Sequence, residues 1–261
     1  MGEAALRHAL MLALRARSHF TLLHIDAEET KDGFDDFPHI RPLLAQWGLL
    51  SADSPTERVQ ELGLFVKKVR AASGNPAQAV VQHLSTHPAD LVVLATHRRG
   101  ALNRWLHRPV AEPIARGVRA ATLFLPEDCQ GFVREADGQV ALRRILLPVS
   151  QSDTAQLAAD AAAELGTLLA CQALEIHVVH VDDTHLTPAF RPPERPGWSW
   201  QATRTRGDVV PAILSAVRDV QADLIVMTTE GHTTWEDTFL GSTTEQVLRH
   251  ATCPLFAIPA H

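Results

Sequence analysis

The sequence lacks the features that mark disulfide-rich, membrane-spanning or nucleic-acid-binding proteins. Its three cysteines are scattered among 261 residues, which is typical of reduced thiols rather than of a disulfide framework. No apolar run approaches the ~20 residues that a membrane-spanning helix needs, and no signal peptide is visible. The net charge of −6 gives no electrostatic reason to expect nucleic acid or an anionic membrane as a partner. We therefore expect a cytoplasmic protein that binds neither nucleic acid nor membrane.

An internal repeat is the strongest feature that the sequence does have. Residues 74–126 and 207–259 align without a gap at a constant offset of 133. Within this alignment LVVLATH (91–97) lies on LIVMTTE (224–230). A period of this length is far too long for a solenoid, so it indicates tandem domains.

A shorter match upstream, at a different offset, extends the repeat. It relates TLLHID (21–26) to IHVVHVD (176–182). We therefore interpret the chain as two copies of one unit. The first domain is placed at residues 1–128, a polar linker at 129–141 and the second domain at 142–261.

Both copies alternate short apolar runs with helical patterns. Leu91–Thr96 and the run that starts at Leu224 are rich in β-branched and apolar residues, as buried strands of parallel sheets are. Glu3–Ala16 places its apolar residues on one face of a helix. This alternation predicts βαβ units and a parallel sheet. A leading strand, Arg144–Val149, opens the second copy, and the first copy has no counterpart to it.

The stretch from Asp223 to Ser242 carries most of the functional argument. It is interpreted as a strand, a loop that contains Gly231 and Gly241, and a helix that starts near Ser242. Such a geometry presents free backbone N–H groups to an anion, and glycine lets a phosphate approach the backbone closely. A phosphate or nucleotide site is one interpretation, and a purely structural loop in which Ser242 is only an N-cap is the other.

A metal site is a separate hypothesis for the same edge of the predicted sheet. Histidine and carboxylate side chains are competent ligands for zinc when three or four of them converge. Their spacing here matches no compact metal motif. The residues concerned are His180, Asp182, His185, Glu230 and His232.

The segments of the second copy together resemble a known family. They are ILLPVS, HVVHV, GDVVPAIL, ADLIVMTTEGH and LGSTTEQVLRHATCPLFAIP, and they resemble the universal stress protein family in its tandem form. The resemblance covers nearly the whole chain. It implies an α/β fold with two tandem open parallel five-stranded sheets of adenine-nucleotide α-hydrolase-like (Rossmann-like) type. It also implies an intramolecular pseudo-dimer in which the domains pair through their last strands, with a homodimer as a further option.

Nucleotide-binding members of this family carry a glycine motif after the fourth strand. The motif is Gly, two residues, Gly, nine residues and Gly-Ser or Gly-Thr, and an Asp ends the first strand. In the second copy Gly231, Gly241 and Ser242 match the motif, whereas Thr228 occupies its first glycine position. Ser150 stands where the family has the first-strand Asp.

The first copy has lost the same motif. Its corresponding residues are Ala95, Arg98, Arg108 and Pro109. None is glycine, and proline has no N–H to offer a phosphate. The resemblance therefore implies a first domain that serves only as a structural partner.

The resemblance implies a stress-response module that binds ATP, with Mg²⁺, in the second domain and has little or no catalysis. Acidic residues in the loop, Glu236 and Asp237, would repel a triphosphate unless a divalent cation intervened. The alternative is an interaction or metal-sensing module that uses zinc, and a hydrolase in the same cleft is the third hypothesis. The residues implied for the nucleotide are Ser150, Val181, Asp182, Thr228, Gly231, Gly241 and Ser242.

The absent leading strand of the first copy has two explanations at this stage. Either a strand precedes Met1, or this copy has lost it. In both cases neighbouring strands would keep unpaired backbone groups. We expect an added N-terminal strand to raise the melting temperature.

Overall fold

The computed structural model describes residues 2–26, 37–73, 76–96, 120–126, 128–150, 152–181, 189–230 and 242–260. Within these ranges helices and strands are interspersed along the chain. The helices are α1 (Glu3–Ala16), α2 (Ile40–Gln46), α3 (Glu57–Glu61), α4 (Pro76–Thr86), α5 (Ser152–Leu168), α6 (Val209–Asp219) and α7 (Ser242–His250). The strands are β1 (His19–Asp26), β2 (Phe65–Ala72), β3 (Leu91–Thr96), β4 (Ala121–Pro126), β5 (Arg144–Val149), β6 (Leu174–Val181), β7 (Trp198–Thr205), β8 (Leu224–Glu230) and β9 (Leu255–Ala260).

The described strands form one large sheet and one small sheet. The large sheet has seven strands in the order β3-β4-β9-β8-β5-β6-β7, and the small sheet contains β1 and β2. Neighbouring strands are parallel except β4 and β9, which are antiparallel. The predicted α/β class with mostly parallel strands is confirmed. A helix predicted at residues 109–116 lies outside the described residues.

The strands do not separate into the two five-stranded sheets that the resemblance implies. The C-terminal part of the chain contributes five neighbouring strands, β5 to β9, to the large sheet. The N-terminal part contributes β3 and β4 to that same sheet, while β1 and β2 stay apart. The sheets merge because β4 pairs with β9, with Leu123 opposite Phe256 at the centre of the ladder. Pairing through the last strands therefore replaces two exposed sheet edges by one continuous sheet.

Small side chains let α5 approach the centre of the large sheet. Its inward face is a run of fully buried alanines that pack against the apolar side chains of β5 and β8. Alanine has no side-chain entropy to lose and permits close helix–sheet packing. The residues are Ala155, Ala158, Ala159 and Ala162.

The segment predicted as a polar linker is instead partly buried. Phe132 and Val133 are 1% and 2% exposed and belong to the main apolar core. A backbone bridge between Val133 and Val140 folds the segment back on itself. These residues of the predicted linker at 129–141 therefore pack against α1.

His8 of α1 binds this linker through its ring. His8 is fully buried, and its Nε2 accepts hydrogen bonds from the backbone N–H groups of Phe132 (2.8 Å) and Val133 (3.1 Å). Its Nδ1 lies 2.7 Å from the carbonyl oxygen of Ala4, so Nδ1 carries the proton and the ring is neutral. Burial, with a smaller contribution from the charge of Arg7, lowers the pKa of His8 to about 4.

Arg7 adds a second set of bonds to the same linker. Its guanidinium donates to the backbone oxygens of Gln130 (3.2 Å) and Val133 (3.4 Å). It also pairs with Glu135 at 3.1 Å. Because the Arg7 side chain is only 4% exposed, these acceptors satisfy a buried charge. We call Arg7 and His8, with residues 130–135 that they bind, the linker clasp.

Strand β7 closes one edge of the large sheet, as its alternating pattern predicts. Two of its tryptophans donate hydrogen bonds to carbonyl groups in neighbouring loops. The indole of Trp198 donates to the carbonyl of Cys171 (2.9 Å), and that of Trp200 donates to Pro193 (3.2 Å). None of the helices that the structure describes combines the length and apolar character needed to cross a membrane.

Candidate functional site

The predicted site residues that the structure describes lie at one edge of the large sheet. Strands β5, β6 and β8 are parallel to one another, so their carboxyl ends face the same way. Ser150 follows the last residue of β5 and is exposed, Val181 ends β6 and is half-buried, and Thr228 lies near the end of β8. The fold therefore places Ser150, Val181 and Thr228 at a common edge.

The order in which successive strands join the sheet reverses beside β5. From β5 it proceeds to β6 and β7 on one side, and then it returns to β8 and β9 on the other. Such a switch point is where open α/β sheets hold their ligands, in the crevice beyond the strand ends. The crevice here lies between the ends of β5 and β8.

The pairing of β5 and β8 stops early, on the side where this crevice lies. Only two residue pairs join them, Ile145 with Leu224 and Leu146 with Ile225. On its other side β5 pairs with β6 over six positions, as far as Val149 with His180. Strand β5 continues beyond Leu146 without further ladder pairs to β8, so this pairing ends before Ser150 is reached.

Pro148 is a sequence signal for this separation that our reading of the sequence missed. It lies inside β5, a central strand, where proline is rare because it has no N–H for the ladder. Its partner in the ladder is Val179 of β6, and the ladder with β8 ends before Pro148 is reached. A proline in a central strand therefore indicates that the strand is unpaired on one side at that point.

His180 fixes the end of β5 rather than pointing freely into the crevice. It is 5% exposed, and its Nδ1 lies 2.9 Å from the carbonyl oxygen of Val149. A carbonyl can only accept, so Nδ1 carries the proton in this bond. His180, a metal candidate from the sequence, thus uses one ring nitrogen to hold the backbone beside Ser150.

The two threonines near the end of β8 have different surroundings. Thr229 is buried, and its hydroxyl donates to the carbonyl of Ile258 in β9 at 3.4 Å. Thr228 is half-buried and lies next to Ile258 in the ladder. Its side chain occupies the position where the family motif has its first glycine.

Helix α7 brings its N-terminus to the same edge. Strands β8 and β9 are parallel, so the helix that connects them must run back along the sheet and begin at the carboxyl edge. Its buried face packs on the apolar cluster that also contains Met227, through Val247 and Leu248. Ser242 is the first helical residue, and the helix start provides free backbone N–H groups.

Several predicted residues fall outside the part of the chain that can be described. They are Asp182, His185, Gly231, His232 and Gly241, and the side chains of Glu230 and Ser242. In the first copy the same holds for Arg98, Arg108 and Pro109. Among the described residues, no three His, Cys, Asp or Glu side chains form a metal-binding group. The zinc hypothesis depends on the undescribed residues and stays a prediction.

The cysteines lie away from this edge and are poorly suited to act as nucleophiles. All three are free thiols. Burial raises the pKa of Cys253 to about 12 and also raises that of Cys171. Because the thiolate is the reactive form, these two thiols are less reactive at neutral pH than an ordinary cysteine.

Comparison with known protein families shows the family to which the chain belongs. The sequence profile of the Universal stress protein family matches residues 1–126 and 193–259, which together exceed half of the chain. The chain belongs to the universal stress protein family. No functionally curated protein matches it in sequence.

Solved structures show that the universal stress protein fold extends over nearly the whole chain. A universal stress protein from Archaeoglobus fulgidus aligns with 99% of this chain and 93% of its own, with a TM-score of 0.60 and 16% identity. A putative universal stress protein from Pseudomonas aeruginosa UCBPP-PA14 aligns with 97% and 87%, with a TM-score of 0.61 and 14% identity. A protein of unknown function from P. aeruginosa PAO1 aligns with 97% and 86%, with a TM-score of 0.62 and 14% identity. At these identities the likeness concerns the fold alone.

Proposed function

We propose that the chain is a tandem universal stress protein whose second domain, residues 142–261, binds one adenine nucleotide and acts as a stress-response module with little or no catalysis. The observation that carries the proposal is the early end of the β5–β8 ladder at the switch point of the sheet. The crevice that results is bordered by Ser150 and Val181 and has the start of α7 at the same edge.

The chemistry of the crevice suits the parts of ATP separately. Half-buried Val181 offers apolar surface to the adenine and ribose, and the exposed hydroxyl of Ser150 offers a hydrogen bond. The phosphates would lie against Gly231, Gly241 and the N-terminus of α7, where backbone N–H groups and the helix dipole favour negative charge. Mg²⁺ would offset the acidic residues of the loop.

The first domain would hold no nucleotide. Its counterpart of Thr228 is Ala95, and its motif positions carry arginines and Pro109 in place of glycines. Binding is therefore expected at one site per chain. The three free thiols support a reducing, cytoplasmic location as part of the same proposal.

Calorimetric titration of the full chain with ATP, with and without Mg²⁺, tests this function. We expect one site per chain and tighter binding with Mg²⁺. The variant Gly241→Arg puts a side chain where the phosphate approaches the backbone, and it should abolish the signal. The matched control, Ala202→Arg, adds the same side chain to an exposed position of edge strand β7 and should bind like the unaltered chain.

Two results would overturn the proposal. Absence of heat with and without Mg²⁺ would show that the crevice does not hold ATP. Equal loss of binding in both arginine variants would show that added charge or general instability, rather than the glycine position, controls the signal.

A further inference from the structure

The C-terminal end of α4 places two histidines one helical turn apart. The helix ends at Thr86, and its hydrogen bonding extends to His87, whose N–H donates to the carbonyl oxygen of His83 at 2.8 Å. The two imidazole rings are stacked, with centroids 4.6 Å apart and an angle of 8° between their planes. Side chains four residues apart on a helix project from the same face, so both rings can reach one ion. We call these two residues the histidine pair.

Thr86 sets the tautomer of His87. Its hydroxyl donates to the carbonyl oxygen of His83 at 3.0 Å, and its Oγ1 also lies 3.0 Å from the Nδ1 of His87. Because the carbonyl takes the hydroxyl hydrogen, Nδ1 carries the ring proton and donates it to Oγ1. The lone pair of His87 therefore lies on Nε2, the ring nitrogen farther from the backbone. Metal-binding histidines are held in the same way, by a hydrogen bond from their second ring nitrogen.

The surroundings keep His83 in the neutral form that a metal ion requires. Burial, with smaller contributions from the charges of His87 and Lys67, lowers the pKa of His83 below its ordinary value of 6.5. A metal ion therefore does not have to displace a proton from His83 at neutral pH. Lys67 would repel a bound cation, but it is exposed, so solvent screens this repulsion. The dipole of α4 acts in the opposite sense, since a helix favours positive charge at its C-terminus.

The histidine pair is accessible and is not required by the fold of the repeat. His83 is half-buried and His87 is exposed, so an ion can enter from solvent and keep bound water. At the offset of 133, the matching residues of the second copy are Ala216 and Val220. Helix α6 forms there without histidine. The pair is therefore a feature of the first copy, whose nucleotide motif has lost its glycines.

We propose that His83 and His87 chelate a divalent transition-metal ion, with Cu²⁺ preferred and water in the remaining coordination positions. Imidazole nitrogen suits Cu²⁺, Ni²⁺ and Zn²⁺, and Cu²⁺ binds most tightly in this series. Two histidines four residues apart on one helix face also bind the metal of the H-E-x-x-H motif. A rotation of each ring about its Cβ–Cγ bond turns one nitrogen of each towards a common ion, roughly 2 Å away.

The number of protein ligands favours Cu²⁺ over structural zinc. Among the described residues, no third His, Cys, Asp or Glu side chain joins the pair in a metal-binding group. Structural zinc sites use four protein ligands, whereas Cu²⁺ holds nitrogen ligands in a square plane that water can complete. The site involves none of the residues assigned to the nucleotide, so it does not depend on the proposed function.

Nuclear magnetic resonance of the full chain with Cu²⁺ alone tests this site at neutral pH, in a buffer that does not bind copper. Bound Cu²⁺ is paramagnetic and should broaden the amide signals of residues 82–88 at less than one equivalent. Zn²⁺, which has no redox chemistry, should shift the same signals at higher concentration. Excess Mg²⁺ should not displace Cu²⁺, because Mg²⁺ prefers oxygen ligands.

Single substitutions test whether the two rings act together. Chelation predicts that His83→Gln and His87→Gln each weaken Cu²⁺ binding at least tenfold, and that the double variant binds little more weakly than either. The matched control, His39→Gln, removes an exposed histidine just before α2 and should bind Cu²⁺ like the unaltered chain. Without metal, each variant should keep the melting temperature of the unaltered chain, which separates the loss of a ligand from damage to α4.

Three outcomes would overturn the proposal. The first is unchanged amide signals of residues 82–88 at one equivalent of Cu²⁺. The second is a pair of single variants that each keep half of the bound copper, which would indicate two independent weak ligands. The third is equal weakening by His39→Gln, which would show that scattered surface histidines bind the ion. None of these measurements involves a nucleotide, so failure here is distinct from failure of ATP binding.

Discussion

Strands β3 and β8 have similar sequences but differ in their position in the large sheet and in their burial. LVVLAT and LIVMTT occupy matching positions of the repeat, and both form parallel strands. Yet β8 is almost entirely buried in the middle of the large sheet, and β3 lies at its edge, partly exposed along its whole length.

The difference shows that an apolar run determines that a strand forms but not how deeply it is buried. Burial depends on the strand that lies alongside, and that strand is β5 in one case and absent from the described residues in the other. In the N-terminal part, the linker clasp adds hydrogen bonds and an ion pair from α1 to the linker. Substitutions in the two parts of the chain test this contrast.

Truncation of matched leucines should reveal the contrast most strongly. Leu224 is completely buried, so Leu224→Ala should lower the free energy of unfolding by about 4 kcal/mol, through lost burial and a cavity. Leu91 is partly exposed, and Leu91→Ala should cost about 1 kcal/mol. Denaturant unfolding of both variants measures the difference. Similar losses would mean that β3 is as well buried as β8.

Acid should weaken the linker clasp before it weakens the rest of the chain. The folded state lowers the pKa of His8 from its ordinary value of 6.5 to about 4. Above pH 6.5 His8 is neutral in both states. As the pH falls from 6.5 to 4, His8 becomes protonated in the unfolded state but stays largely neutral in the folded state. The free energy of unfolding therefore falls by about 3 kcal/mol.

The variant His8→Gln isolates this contribution, because an amide oxygen can still accept from the linker but does not titrate. Its free energy of unfolding should change less between pH 7 and pH 4 than that of the unaltered chain. Identical pH dependence in the two proteins would show that His8 does not control acid stability.

Gly131 should be sensitive to substitution for two reasons, backbone strain and a steric collision. A comparison with Gly48 separates the two. Its φ of +65° lies in the left-handed region, and a Cβ at this position would come within 2.3 Å of the His8 ring. Gly48 has a similar φ of +71° with open space around it. Gly48→Ala should therefore cost about 1 kcal/mol from backbone strain alone. Gly131→Ala should cost about 2 kcal/mol more, from the collision within the clasp. Thermal unfolding of both variants gives the comparison, and equal losses would remove the clasp from the account.

His24 and His180 occupy matching positions in the upstream repeat. Their substitution should have the smallest effect on stability. His180→Leu leaves the Val149 carbonyl without its ring partner, and it should cost about 1 kcal/mol. His24→Leu should change the free energy of unfolding by only a few tenths of this, since the residue is half-exposed and bonds to its own strand. Denaturant unfolding measures both, and a larger loss at His24 would contradict this difference between the two histidines.

Local patterns in the sequence predicted most of the elements correctly. The bounds of α1, β3 and β5 agree with the structure because each has a clear period and clear ends. Contacts between distant residues could not be predicted in this way. The bonds from His8 to Phe132 and Val133 span more than 120 residues, and no local pattern indicates them.

The candidate site shows the same limit. Ser150, Val181 and Thr228 could be assigned to one edge because parallel strands end together. The separation of β5 from β8 depends on where their ladder stops, which is a property of the packed sheet. Pro148 is the local feature of the sequence that indicates where this ladder stops.

Hydrogen exchange of the full chain with and without MgATP examines both parts of the molecule in one sample and shows directly whether the nucleotide binds in the second domain alone. We expect ATP to protect amides at the carboxyl ends of β5, β6 and β8 and at the start of α7, and to leave β1 and β3 unchanged. Protection at the ends of β1 and β3, or no protection at any of these strand ends, would contradict this expectation.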